Sequence, residues 1–435
     1  MKNSIVFIFS SIPLLLISGP FLSGIAVVTI GLYGLYNLKS FSLVNDKINI
    51  KYILLIFLLF YLYLLFTSSI SELPKESFKS SLFYCRFIFF SVGAFLLMKK
   101  YKNKIYQLMF IFITISFMVV FLSLIAEFFI EYFIMQNRGN GQLTGVFFKE
   151  KIAGSYISRL YPLLIGLAII FKSKTFNISK NNFILILFIV STSSVLLSGE
   201  RASISIFLIS NIILIIGLKM YRNLIFSKKS ILSITFILVF FSIFANPIFE
   251  RVVIKTIHQI TENGEFNIIS KHHESHLVTA YKMFSYNKIT GVGPRMFRHL
   301  CDKGEYIDIY NTEIQYQNNG LPKYIDGKIQ IKEYNGCSTH PHNMLFQILS
   351  ETGLIGILFY LFFIFIIYKD LFQMLNKKDK SDSYIILLAS LACLSASFFP
   401  LLPSNNFFGS YVNIFYYFIL TFYLISKNEI SQHNT

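Results

Sequence analysis

The chain has 435 residues, 54% apolar and only 14% charged, with a mean hydropathy of +0.60. Soluble domains carry roughly 25% charged residues, so this balance excludes an ordinary cytosolic enzyme, a disordered chain and a secreted disulfide scaffold, and it points to a polytopic membrane protein. The net charge of +17 invites a nucleic-acid partner, but where the charges sit decides what it means.

Twelve apolar segments follow in chain order, at about 3–18, 21–38, 52–68, 79–98, 104–130, 154–171, 182–198, 202–218, 230–246, 343–368, 384–400 and 408–426. Lys2 and the apolar run behind it have the look of a signal peptide. Apolar character resumes directly after Ser18-Gly19-Pro20, with no small-residue cleavage site, so this part reads as a retained helical hairpin. Lys and Arg in alternate connections then set the orientation. One side holds Lys39, Lys47 and Lys51, Lys99 to Lys104, Lys172 to Lys180, Lys219 to Lys229 and Lys369 to Lys380. Both termini are therefore expected in the cytoplasm. Residues 1–246 carry segments one to nine, 247–341 form one long outer loop able to fold as a small subdomain, and 342–435 carry segments ten to twelve with a short tail. The loop holds 11 basic and 10 acidic residues, so the basic excess is cytoplasmic Lys and gives no support to a nucleic-acid partner. With no Trp present, Tyr61, Tyr63, Tyr411, Tyr416 and Tyr417 are the expected interface aromatics.

Arginine is distributed differently from lysine. Of 8 Arg, only Arg222 falls on the cytoplasmic side; Arg86, Arg138, Arg159, Arg201, Arg251, Arg295 and Arg298 lie in segments or on the outer side. A planar guanidinium binds phosphate oxygens in a fork that Lys cannot copy, whereas helix-end snorkelling is the bland alternative. Arg86 is expected roughly 10 Å and Arg159 roughly 8 Å below the outer face, at 1.5 Å per residue. Arg201 opens the eighth segment and His342 precedes the tenth. Charges inside a membrane usually face a bundle interior or a wet cavity, and Glu351 is the expected counter-charge for Arg86.

Seven of the 8 His fall between residues 258 and 342. His272 and His276 have helical i, i+4 spacing, but the run His272-His273-Glu274-Ser275-His276 is not H-E-x-x-H, so solvated loop histidines or contacts to an acceptor sugar are preferred to a metal site. In His340-Pro341-His342-Asn343, the proline fixes the chain's approach, Asn343 can cap the next helix, and His342 can act as a general base near neutral pH. Cys301 and Cys337 share the outer loop and can form a disulfide there. Gly291-Val292-Gly293 lacks the βαβ context of a dinucleotide fingerprint.

Taken together, these residues resemble the O-antigen ligase and O-antigen polymerase superfamily of bacterial envelope glycosyltransferases. The similar elements are GVGPRMFRHLC from Gly291, GCSTHPHN, Glu351-Thr352-Gly353 with Gly356, Ser198-Gly199-Glu200-Arg201, and FFKEKIAGSYISRLYP from Phe147 to Pro162. The resemblance implies an all-α membrane fold of the polyprenol-dependent glycosyltransferase type, with about twelve helices and a large periplasmic loop between the ninth and tenth. It also implies a metal-independent, cofactor-free, inverting transfer at the periplasmic face of the inner membrane. The donor would be a glycan on undecaprenyl diphosphate. The acceptor would be lipid A–core for a ligase or a second lipid-linked glycan for a polymerase. His342 matches the family's essential loop His. Arg201 matches an Arg that contacts the diphosphate, and Arg295 or Arg298 is nearest to a further loop Arg. Ligases often carry an Arg upstream of the G-x-G element, where this chain has His272, His273 and His276. Glu200, His340, Asn343 and Glu351 are the expected supporting residues, with Arg86 and Arg159 as further diphosphate candidates. A flippase or other transporter is the reading from another class. It would spread charge through the whole membrane depth and has no need of a long outer loop.

Overall fold

The computed structural model describes residues 2–42, 50–135, 141–148, 150–171, 179–261, 269–314, 324–325, 328–329, 331–377, 379 and 381–433. It is mostly helical, and every apolar segment read from the sequence lies on a helix. In order these are Lys2–Ser10 with Ile12–Ile17, Pro20–Tyr36, Ile50–Ser69, Cys85–Phe129, Ala153–Ile170, Lys180–Leu197, Arg201–Gly217, Lys228–Phe244, Met344–Leu375, Asp382–Ser397 and Ser410–His433. Among the described residues, 5 helices are long and apolar enough to cross a bilayer, or up to 7 if each of two bent pairs is one span. This is a helical membrane protein.

The fourth and fifth segments are joined. Cys85–Phe129 runs for 45 residues, with a single non-helical residue at Tyr101 (φ −128°, ψ 25°). Lys99, Lys100, Lys102 and Lys104 mark a connection by charge, but Lys is a good helix former and no Gly or Pro stops the helix there. Upstream, the chain breaks into Pro74–Ser81 and a 3-10 turn at Leu82–Tyr84 before this helix begins. Arg86 occupies the first turn of the Cys85–Phe129 helix.

Ala153–Ile170 is the central helix. Of its residues 89% are buried, against 33% of the apolar 18-residue stretch within Met344–Leu375. Two of the expected interface tyrosines, Tyr416 and Tyr417, are also interior. Tyr417 stacks on Phe87 with ring centroids 5.0 Å apart, and Tyr416 packs on Phe398 at 4.4 Å. An amphipathic ring needs only one polar neighbour, and in a Trp-free chain Tyr fills the core as well as its edge.

Between the Lys228–Phe244 and Met344–Leu375 helices the chain builds a second, smaller core. The Lys271–Tyr286 helix presents Ala280 and Met283 to Val292, Met296, Phe297, Leu300 and Tyr306. Cys301 and Cys337 are disulfide-bonded, with Cα atoms 5.0 Å apart. The segment is not purely helical. Ile309–Ile314 pairs antiparallel with Ile331–Asn335, and Tyr324–Ile325 pairs with Lys328–Ile329. β-branched and aromatic residues such as Ile329, Ile331 and Tyr334 suit a ribbon, a signal too short to read in a sequence dominated by helical runs.

Candidate active site

Glu351 anchors one side of the site. It is 1% exposed, and its carboxylate accepts hydrogen bonds from the backbone N–H groups of Arg295 (2.9 Å) and Phe297 (3.0 Å) and from Gln347 Nε2 (3.1 Å). The Gly291–Gly293 turn lies flat on the same helix, with Val292 N–H donating to the Ser350 carbonyl (3.0 Å) and Gly293 N–H to the Glu351 carbonyl (2.9 Å). Two left-handed glycines allow this contact. A Cβ on Gly291 (φ 67°) would lie 2.4 Å from the Glu351 carbonyl carbon, and one on Gly353 (φ 64°) 2.3 Å from the Ile289 oxygen. Glu351 is thus committed to the loop backbone and does not pair with Arg86. That arginine donates to Ser410 Oγ (2.8 Å) and covers the Phe87 ring at 4.7 Å.

Glu200 works in the same way on another helix. It lies between Lys180–Leu197 and Arg201–Gly217, and it accepts from Gly154 N–H (2.7 Å), Ser155 N–H (3.3 Å) and Ser155 Oγ (2.8 Å). Those donors are the open first turn of the central helix, where a carboxylate also meets the favourable end of the helix dipole. Arg159 follows in the next turn. It is 4% exposed, donates from Nη1 to the Ser155 carbonyl (3.3 Å), and keeps a buried Nε with no hydrogen-bond partner. Arg201 donates to Thr256 Oγ1 (3.3 Å) and to Gln259 Oε1, and its charge reaches His273.

The histidines form one group, contributed by two segments far apart in sequence. His272, His273 and His276 come from the Lys271–Tyr286 helix, and His340 and His342 from the stretch that enters Met344–Leu375. Ring centroids separate His342 from His340 by 4.2 Å, from His276 by 5.2 Å and from His273 by 5.9 Å. His276 is 1% exposed, which rules out a solvated loop role for it; its Nδ1 contacts the Gly336 carbonyl (2.8 Å) and its buried Nε2 has no partner. His340 Nε2 lies 3.2 Å from the Ser404 carbonyl, and the His342 carbonyl accepts from Ser404 N–H (2.8 Å). Asn343 caps the following helix by accepting from Phe346 N–H (3.2 Å), and it ties back to the Pro400 carbonyl through Nδ2 (2.8 Å). His342 itself holds φ 54°, a conformation sparsely used by residues with a side chain.

Burial and the neighbouring imidazoles push His273, His276, His340 and His342 towards the neutral form. Burial first, then His340, His276, His273 and His272, push His342 down to about 3. Burial is also the main cause for His340, at about 4, with Arg298 adding to it, and for His273, at about 4. Among the described residues no group of three or more His, Cys, Asp or Glu is arranged to hold a metal ion.

The structure therefore brings His342, His340, His273 and His276 together, with Arg201 near one edge and Arg298 near the other. Arg298 donates to the Thr339 carbonyl at 3.3 Å. Arg295 sits beside it with φ 64° and a buried, unpartnered Nε. Arg86 shares no hydrogen bond or ring contact with this group. Arg138 lies outside the described residues. Sequence reasoning missed the packing of His273 and His276 on His342. The signal for it was the count of histidines in the loop, which says nothing of which ones meet. Among the described residues, ion pairs are made by Lys79, Lys102, Lys255, Lys282, Lys303 and Lys427, and Arg86, Arg159, Arg201, Arg295 and Arg298 join none.

Comparison with known proteins adds one finding. No curated protein matches the chain. Residues 186–361 match the family model described as O-antigen ligase. That stretch holds Glu200, Arg201, all the clustered histidines, Arg295, Arg298 and Glu351, while Arg86 and Arg159 lie before it. The match covers residues 186–361 of a 435-residue chain, and it supports the resemblance to the O-antigen ligase and polymerase superfamily.

Proposed function

We propose that the protein transfers a glycan from undecaprenyl diphosphate to an acceptor hydroxyl at the periplasmic face of the bacterial inner membrane, and that the acceptor is lipid A–core. In this reading the chain crosses the membrane twelve times with both termini in the cytoplasm, and residues 247–341 lie outside as the loop between the ninth and tenth crossings. The donor's diphosphate rests against Arg201, Arg159 and one of Arg295 and Arg298, and its isoprenoid tail lies among the outer helix ends.

The observation that carries this reading is the company His342 keeps. A neutral imidazole stands beside arginines that join no ion pair among the described residues, while Glu200 and Glu351 are hydrogen-bonded to backbone N–H groups. The acceptor oxygen attacks the sugar C1 from the face opposite the leaving group and inverts it. The C1–O bond breaks, its electron pair leaves with undecaprenyl diphosphate, and the acceptor's proton passes to His342. The arginines stabilise the charge developing on the diphosphate in a partly dry site, so neither a general acid nor a metal is assigned a role. An anionic donor nearby also raises the basicity of an imidazole that is otherwise held low.

The envelope glycan profile of a deletion strain tests the proposal. Loss of long chains on lipid A–core, with polymer accumulating on the lipid carrier, is the expected outcome. Core bearing a single repeat identifies a polymerase that joins lipid-linked repeats, and an unchanged profile overturns glycan transfer altogether.

A further inference from the structure

Resting on the assignment of His342 as base, we infer that Ser338 is a positioning residue that fixes the His342 tautomer, so that Nδ1 is the atom that takes the acceptor's proton. Ser338 has one hydroxyl hydrogen, and it points to the His340 carbonyl at 2.9 Å. The same oxygen lies 3.2 Å from His342 Nε2. With its only proton committed, Ser338 Oγ meets Nε2 as an acceptor, and Nε2 carries the hydrogen. The other ring nitrogen, Nδ1, is then a bare lone pair, and it hydrogen-bonds to none of the described residues. A tautomer fixed through the second nitrogen is the usual way a histidine's reactive atom is selected.

Ser338 is itself held from several directions. Cys337 beside it is disulfide-bonded to Cys301, and Cys337 N–H donates to Asn335 Oδ1 (3.1 Å). On its other side the Thr339 carbonyl accepts from Arg298, and His340 N–H donates back to Ser338 Oγ at 3.4 Å. The hydroxyl is therefore part of a tight turn that aims the ring. Its removal costs orientation of the base and leaves substrate contacts alone.

The test uses the full chain in phospholipid vesicles, following release of undecaprenyl diphosphate from undecaprenyl-diphosphate-linked glycan. Lipid A–core and lipid-linked glycan are supplied together, so the result does not depend on which is the acceptor. Ser338→Ala is expected to lower kcat about tenfold, the loss of one oriented hydrogen bond, with KM unchanged within about twofold. Ser338→Thr keeps the hydroxyl and is expected to recover most of kcat. Wild-type kcat in Ser338→Ala, or equal losses in the Ala and Thr variants, overturns the inference. A second readout needs no substrate. Nitrogen-15 histidine spectra, with His342→Gln to identify the resonance, are expected to show a protonated Nε2 in the native protein; a protonated Nδ1 overturns the inference. His342→Ala is measured alongside. If it still transfers glycan, the base assignment fails and takes this inference with it. If it is dead while Ser338→Ala is fully active, only the role of Ser338 fails.

Discussion

The Met344–Leu375 helix carries charge at both ends, and the two ends use it in opposite ways. At the end remote from the histidines, Asp370 accepts from Lys427 and Tyr423, and nearby Glu429 accepts from Lys102 (2.7 Å) and Ser383 Oγ (2.6 Å). Acid meets base there, and the charges are cancelled where they stand. At the His342 end the carboxylates of Glu200 and Glu351 bind backbone N–H groups, and the arginines close by donate to carbonyls and hydroxyls. Among the described residues those arginines join no ion pair. Removing one partner of a part-buried ion pair strands the other charge and costs stability; a guanidinium with no ion-pair partner in a half-dry site is a place for an anion. Lysine does the first job here and arginine the second.

The sharpest way to break this contrast is to remove the base. His342→Ala is expected to lower transfer by at least about a hundredfold, in the range of a lost general base, with normal amounts of protein in the membrane. Near-native activity would sink the assignment. Arg201→Lys comes next. A point charge lacks the fork, so a loss of about tenfold or more in kcat/KM is expected, whereas free substitution would show that only charge matters there. The remote end should behave oppositely. Lys427→Met strands Asp370 and is expected to cost about 3 kcal/mol of stability, read as a lower unfolding temperature, with kcat nearly unchanged. A large fall in kcat without loss of stability would erase the distinction between the two ends.

Two smaller effects concern the histidine cluster. The active form of His342 is neutral, and burial with its neighbouring imidazoles depresses it from 6.5 to about 3. The pH profile of kcat/KM, which reports the free enzyme, is therefore expected to stay flat from pH 7.5 to about pH 5, with no acid limb near 6.5. A limb at 6.5 would mean a solvated ring. Stability follows the same sign. Unfolded histidines bind protons below 6.5, while His273, His340 and His342 resist them until about 4, 4 and 3, so stability is full above 6.5 and falls as the pH drops towards those values. Finally, EDTA is expected to leave transfer unchanged. Loss of activity restored by a divalent metal would return His272 and His276 to consideration as ligands.

Much of the fold was legible in the sequence. Each apolar run marks a helix because the hydrocarbon core demands length and hydropathy, and both are local properties. Arg201 at a helix start, His342 before Met344 and the left-over arginines could also be read, since membrane placement sorts residues by depth. The continuity of Cys85–Phe129 could not. A lysine cluster signals a side of the membrane and says nothing about whether the backbone stops. Nor could the β ribbon, which hangs on pairing between strands some twenty residues apart.

What the sequence by itself determined was the class of protein and the inventory of its chemistry: a helical membrane chain, few arginines, clustered histidines. Tertiary structure alone decided the partners. It gave Glu351 to the backbone of Arg295 and Phe297 and left Arg86 with Ser410. It packed His276 and His273 against His342, from a helix some seventy residues upstream. The physical reason is range. Hydropathy and helix propensity act between neighbours in the chain, whereas a hydrogen bond is settled only when the packed core brings donor and acceptor within about 3 Å.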